Sequence, residues 1–346
     1  MSKISSHTGW QPLREVWLGD VYPDHFYDHV TDPRLRDLCL HVSQITRQDL
    51  KIFQSCLESL GVQVCRPSFV AGIEAFLDSK DNLIKPPITP RDWAMTLGDT
   101  LYIAPQYPSM VQPWQTDIDR YLANHQNVRI LQRFGRSENW CYITFPSVVR
   151  AGRDLYIDFQ DSGDRGSSVR AVAQELAENY RVHLGTTGDH SDGVFCPIRP
   201  GHIISSHYRQ HYHQGWPGWH VLSLPNSSAA NNGANERWHV PGMHFPHINA
   251  GMLDILDTWI GDMAETVFEV NMLVIDHQNV LVLAYDDTVC RHIESLGMTP
   301  HLIDFRARGF WDGGLHCLTT DICREGDLED YWPDRGPNGI YNDADN

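Results

Sequence analysis

The chain has 346 residues, 41% of them hydrophobic, enough for one large domain or two ordinary ones with a sizeable core. Lys and Arg number 27 against 44 Asp and Glu, and the net charge of −17 argues against nucleic acid and acidic membranes as partners, since both select for basic surfaces. No apolar run approaches the roughly 18–20 residues of a membrane span, and "MSKISSHTGW" lacks the basic and apolar regions of a signal peptide, so a soluble cytoplasmic protein is the expectation.

The N-terminal elements are loosely patterned: "REVWLGD" (14–20) reads as a strand, "QDLKIFQSCLESLG" (48–61) as a helix and "VQVCRPS" (62–68) as a second strand. A clearer unit then recurs. Paired strands joined by glycine or polar turns appear at 94–105, 148–159, 196–207 and 271–286, the turns being Gly-Asp, Gly-Arg, Pro-Gly and His-Gln-Asn-Val. Each hairpin is followed by a polar or helical stretch and a third strand, at 128–134, 180–186, 219–225 and 299–305. The connecting helices are clearest at 167–180 and 286–297, where apolar residues recur at threes and fours. A ββαβ unit repeating every ~50 residues, four times over with a looser N-terminal copy, predicts five blades. Five blades predict a closed ring whose turns and helix ends face an axial cleft, with an ordinary mixed α/β sheet as the alternative. One catalytic domain is expected over 1–333, with a lid-like insertion at 226–270 and an acidic tail at 334–346.

Nineteen histidines invite a metal, but "HYRQHYH" (207–213) and "HVPGMHFPH" (239–247) carry no HExxH and no Cys/His quartet. With no P-loop and no GxGxxG either, neither a metal nor a nucleotide cofactor is expected. The eight cysteines form no CxxC pair and read as free thiols, mostly core fillers. One of them, Cys317 in "GFWDGGLHCLTTD" (309–321), follows a glycine pair and a histidine. A nucleophilic thiol needs a general acid/base, and "GDHSDG" (188–193) offers His190 with Asp192, on one face if the segment is extended. "TPRDW" (89–93) adds Asp92 just before a hairpin. Two aspartates converging on one cleft suit a planar cation, because carboxylates pair with guanidinium in bidentate fashion.

"GGLHCLTTDICREGDLEDY" resembles the catalytic-cysteine segment of the guanidine-modifying enzymes, within them the glycine amidinotransferase branch. "GWQPLREVWLGD", "PRDW", "RAGRDLYI" and "YRVHLGTTGDHSDG" resemble other segments of that branch in the same order, from about residue 8 to residue 331. The resemblance implies a fivefold pseudo-symmetric α/β propeller, the pentein fold, in agreement with the blade count. It also implies that Cys317 attacks the guanidinium carbon of arginine, that His190 is the general acid/base, and that Asp92 and Asp192 grip the guanidinium. Arg209, in "SSHYRQ", then receives the substrate α-carboxylate. Ornithine leaves, and the amidino group passes from the cysteine to an acceptor amine, glycine or similar, without a cofactor. Arginine and the amine are the partners implied, and dimers in the family imply a homodimer.

Two positions depart from the family pattern. Thr144, in "CYITFPSVVRAGRD", stands where an acidic residue normally partners the histidine and orients substrate, and its absence lowers the histidine's basicity. Asp189, beside His190, replaces an apolar residue and is a candidate substitute for the missing charge. Two further functions fit the same residues. One is an arginine hydrolase yielding citrulline, or ornithine with ammonia, in which water replaces the acceptor. The other is an arginine-binding protein with impaired catalysis, for which Thr144 is the argument. The 226–270 connection falls where acceptor specificity is set, and Trp238, His239, Met243 and Phe245 in it would exclude water from the intermediate.

Overall fold

The computed structural model describes residues 3–69, 85–105, 108–131, 139–158, 163–185, 190–206, 212–224, 256, 269–283, 286–311 and 313–336. The first strand, β1 (Leu13–Leu18), leads into helix α1 (Pro33–Ser59) and then β2 (Gln63–Cys65). Next come β3 (Ala94–Leu97), β4 (Thr100–Ile103), α2 (Gln115–Ala123) and β5 (Asn127–Ile130). After them follow β6 (Val148–Ala151), β7 (Asp154–Asp158), α3 (Gly163–Leu176) and β8 (Arg181–Gly185). The strands β9 (Phe195–Arg199), β10 (His202–Ser205) and β11 (His220–Ser223) precede the long connection. Beyond it lie β12 (Leu273–Val274), β13 (Asn279–Val282), α4 (Asp287–Ser295), β14 (Thr299–Leu302) and β15 (Thr319–Arg324).

Among the described residues these strands form five three-stranded sheets. In four of them an antiparallel hairpin is followed by a third strand running parallel to the hairpin's second strand. The fifth, β15-β1-β2, is the same unit assembled from both ends of the chain: β15 pairs antiparallel with β1, Val16 opposite Asp321, and β2 pairs parallel on the other side. The ring of blades anticipated from the repeat is therefore closed by the last strand, which supplies the first hairpin strand that the N-terminal copy lacks.

Local chemistry sets these units. Gly98 and Gly152 take up positive φ (60° and 64°) in two-residue hairpin turns, a backbone region that glycine enters without steric cost. Gly152 is doubly constrained, since a Cβ there would lie 2.1 Å from the Glu329 carbonyl oxygen. Helix α1 starts well before the helix expected at 48–61, because its apolar spacing already begins at Leu35, Leu38 and Val42. Asp32 caps it, accepting the backbone N–H groups of Arg34 and Leu35. Helix α3 lies earlier than the expected 167–180. It ends at Leu176, and the turn after it delivers Arg181 to β8, where its guanidinium pairs with buried Asp154.

The blades are tied together near the start of the chain. Ser5, Ser6 and Thr8 bridge to Cys323, Gly98 and Ala151 on three different sheets. Arg335 pairs with Asp154 at 2.6 Å, so the start of the acidic tail is docked on the third sheet, whereas 337–346 lie outside the described residues. Of the lid-like stretch 226–270, only Leu256, Glu269 and Val270 are described, and Leu256 is buried in the main hydrophobic cluster. Among the described residues no helix is long and apolar enough to cross a membrane. Cys39, Cys56, Cys65, Cys196, Cys290, Cys317 and Cys323 are free thiols.

Candidate active site

The segment between Gly313 and Thr319 turns tightly, with Leu318 N–H donating to the Gly314 carbonyl at 3.1 Å, and buries Cys317 completely. Asn271, just ahead of β12, holds this turn. Its Oδ1 accepts the backbone N–H of His316 (2.9 Å) and of Cys317 (3.1 Å), and its Nδ2 donates to Cys317 Sγ (2.9 Å). Gly314 permits the approach, since a Cβ there would come 2.6 Å from Asn271 Oδ1. Arg91 braces the turn from the other side, its Nε donating to the carbonyls of His316 (3.0 Å) and Thr319 (2.9 Å).

Asp192 comes from another blade, on the turn just ahead of β9. The segment is not extended, as a shared face for His190 and Asp192 would need; it coils into a 3-10 turn, Ser191–Gly193, closed by Gly193 N–H on the His190 carbonyl at 3.1 Å. Glycine in the turn and the strand start at Phe195 favour this tighter path. It aims Asp192 Oδ2 at Cys317 Sγ (3.6 Å) and at His316 Nδ1 (2.7 Å). Asp192 Oδ1 is buried and accepts no hydrogen bond among the described residues.

Asp92 ends the 3-10 turn Pro90–Asp92, as its place before the hairpin leads one to expect. Its Oδ2 accepts from the Thr89 hydroxyl (2.5 Å) and the Lys85 ammonium (3.2 Å), while Oδ1 is buried without a partner among the described residues. This turn borders the cysteine: a Cβ on Gly313 would lie 3.2 Å from Cys317 Cβ and 3.3 Å from Thr89 Cγ2. Asp192 thus contacts the thiol and Asp92 sits on a turn that borders its loop, each with one oxygen engaged and the other without a partner among the described residues.

The imidazole of His316 keeps 22% of its surface accessible, yet protein encloses most of the ring. Burial first, and then the Arg91 charge, push it down to about 4, against the opposing pull of Asp192. The ring is therefore neutral at neutral pH, and its bond to a carboxylate assigns the proton to Nδ1. Burial, reinforced by nearby carboxylates, pushes Cys65 and Cys196 up to about 12.

His190 is half-buried at the start of the Asp192 turn. Thr144 is half-buried as well, and it bonds through its hydroxyl to Ser147 Oγ at 2.7 Å; the Ser147 carbonyl accepts from Ser191 at 3.3 Å. Thr144 is thereby coupled to the residue following His190. Arg209, Asp189 and the four aromatic, histidine and methionine residues of the lid lie outside the described residues. A cleft of about 500 Å³, partly open to solvent, is lined by Trp10, Val148, Asp192, Phe195, Met272 and His316 among others.

Asn271, His316, Lys85 and Arg91 were not assigned roles from sequence. His316 adjoins Cys317 in plain view, and the glycine pair hinted at a close approach, but nothing local points to Asn271 or Lys85.

No family model matches the chain. L-arginine:L-lysine amidinotransferase of Pseudomonas savastanoi pv. phaseolicola is 25% identical, over 95% of this chain and 97% of that protein. Mitochondrial glycine amidinotransferase of Gallus gallus is 27% identical over 53% of this chain, which spans only 39% of that relative. Among solved structures, an inosamine-phosphate amidinotransferase from Streptomyces griseus superposes with a TM-score of 0.69 at 20% identity, covering 96% of this chain and 99% of that one. The resemblance to amidinotransferases and the pentein propeller are both borne out.

Proposed function

We propose that this relative of the amidinotransferases takes the amidino group of arginine onto Cys317 and passes it to an acceptor amine, releasing ornithine. The observation carrying this reading is a buried thiol in contact with Asp192, with Asp92 on the turn that borders its loop, each carboxylate keeping a buried oxygen that has no partner among the described residues, Asp92 Oδ1 and Asp192 Oδ1. Those oxygens are natural acceptors for guanidinium N–H groups, with Lys85 sharing Asp92. A cation arriving beside Sγ favours the thiolate, with His190 taking the proton. Sulfur then bonds to the guanidinium carbon, the bond from that carbon to the ornithine nitrogen breaks, and His190 returns the proton to the departing amine. In the second half, the acceptor amine loses a proton to the same histidine, attacks the amidino carbon and expels the Cys317 thiolate. Arg209 receives the α-carboxylate, and the 226–270 connection keeps water out.

The acceptor is a primary amine. Lysine is tested ahead of glycine, because the relative named for lysine matches this chain along its whole length. Asp189 and Thr144 complete the histidine's surroundings in this reading, and a cytoplasmic homodimer with two small-molecule substrates remains part of it.

The test uses arginine labelled at the guanidino carbon, with lysine, with glycine and with no amine, followed by mass spectrometry of products and of the Cys317 peptide. Labelled amidino-Cys317 and ornithine release stimulated by an amine are expected, both abolished by Cys317→Ala. Citrulline, or ornithine with ammonia and no amine requirement, would convert the reading to hydrolysis. Arginine binding with no adduct and no product would leave a binding protein.

A further inference from the structure

Three histidines widely separated in sequence meet where the blade of β9–β11 faces the helix of the next blade. His202 opens β10 and His220 opens β11, and the two strands run parallel with His202 opposite His220, so both side chains leave the sheet on one face. His292 comes from the last turn of α4. The apolar side of that helix, Val289, Cys290 and Ile293, shares a hydrophobic cluster with Ile198 and Ile203 of the facing blade. Arg199 at the end of β9 donates to the Leu296 carbonyl at 2.8 Å, which fixes the helix end against the hairpin.

One ring nitrogen from each histidine lies within 4.8 Å of the other two. A second observation is independent of that proximity. His202 Nδ1 and His292 Nε2 are shut off from solvent and have no hydrogen-bond partner among the described residues, a costly arrangement for a polar atom. Strand β9 runs from the Asp192 turn at its start to Arg199 at its end, so the cluster occupies the opposite end of that strand from the candidate active site.

We propose that His202, His220 and His292 bind a divalent first-row transition ion of the zinc class, with the remaining coordination position open to water or a small ligand. Imidazole donors without a carboxylate favour zinc, cobalt, nickel or copper over magnesium and calcium, which require oxygen ligands. Metal–nitrogen distances of ~2.0–2.1 Å put tetrahedral ligand atoms about 3.3 Å apart, so modest side-chain rotation closes the site. Two ligands belong to one blade and the third to the next, and the chain between them contains the long 226–270 connection. A bound ion would staple the two blades on either side of it. Local motif reading gave no expectation of a metal because these three histidines form no short-range pattern.

The proposal is independent of amidino transfer and is tested without it. Tag-free protein stripped with chelator is titrated with zinc and with cobalt, and its melting temperature is followed with each ion and with magnesium. One equivalent bound, a cobalt spectrum of nitrogen ligation without thiolate charge transfer, and a rise in melting temperature with zinc but not magnesium are expected. His292→Ala should lose the equivalent and the thermal shift. His220→Ala should do the same, and because His220 is exposed its removal leaves the fold intact. Absence of binding by the wild-type chain, an unchanged equivalent and thermal shift in His220→Ala, or thiolate charge transfer would each overturn the site.

Discussion

Two buried acidic centres adjoin the Cys317 turn and are built in opposite ways. Asp321, on the strand leaving the turn, is completely enclosed. Its Oδ1 accepts from Arg91 (2.6 Å), and its Oδ2 from Arg150 (2.6 Å), Arg324 (3.0 Å) and the Ser6 hydroxyl (2.8 Å). Burial acts to raise its carboxyl, but the charges of Arg150, Arg91 and Arg324 overcome this and hold it well below the usual carboxylate range. Asp192, on the other side of the turn, has a neutral imidazole and a thiol on one oxygen and no partner among the described residues on the other. The first centre shows how carboxylates in this fold receive guanidinium groups when the chain supplies them. The second has the matching acceptor without the internal cation. If Asp192 receives the guanidinium of arginine as proposed, framework and reception site use the same chemistry and differ in which molecule brings the positive charge.

The largest effect belongs to the framework. Removing one member of a buried, matched charge cluster strands the others, and Asp321→Asn should destabilise the protein by about 3–5 kcal/mol, read as a lower urea midpoint. A midpoint equal to wild type would break the distinction at its root. At the reception site the expected loss is functional. Asp192→Asn removes a charged acceptor worth about 1.5–3 kcal/mol, which corresponds to a fall of about 10- to 100-fold in kcat/KM for arginine. Its unfolding free energy from urea titration should remain within about 1 kcal/mol of wild type, because no cation among the described residues is stranded. Should Asp192→Asn unfold the chain as Asp321→Asn does, both carboxylates would be framework.

What is legible in the sequence is what local chemistry dictates. Hairpins announced themselves because a two-residue turn needs positive φ, which Gly98 and Gly152 provide. Cys317, Asp192 and Asp92 were legible as short constellations of chemically matched residues beside turns. The closure of the ring by β15 on β1 was not, since pairing between the two ends of a chain leaves no periodic trace. Nor was Asn271, which acts on Cys317 purely through tertiary contact, or the lattice of Arg91, Arg150 and Arg324, whose members are drawn from distant strands and turns. The His190–Asp192 segment shows a subtler limit: its backbone coils into a 3-10 turn, so the expectation of a shared face, which rests on an extended backbone, does not carry over.

The smallest effect sharpens the comparison through pH. The His316 ring titrates at about 4 in the folded chain, against an ordinary value of about 6.5 when unfolded. Above that window neither state carries the proton, and below it both do. Within it the unfolded chain binds more protons, so stability rises with pH there and is lost on acidification. The full shift would be on the order of 3 kcal/mol, and with part of the ring in solvent about 1–2 kcal/mol is the expected loss between about pH 7 and pH 5. His316→Gln keeps an N–H for Asp192 and removes the titration. The wild-type urea midpoint should therefore fall further than the variant's over that range, whereas parallel curves would overturn the assignment. Asp321 cancels in this difference, since its stabilisation disappears only at more acid pH, as its carboxyl is protonated well below the usual range. Protonated His316 would also place a resident cation on Asp192, making the reception site resemble the Asp321 framework. Arginine turnover should accordingly decline with acidification before the Asp321 cluster begins to fail.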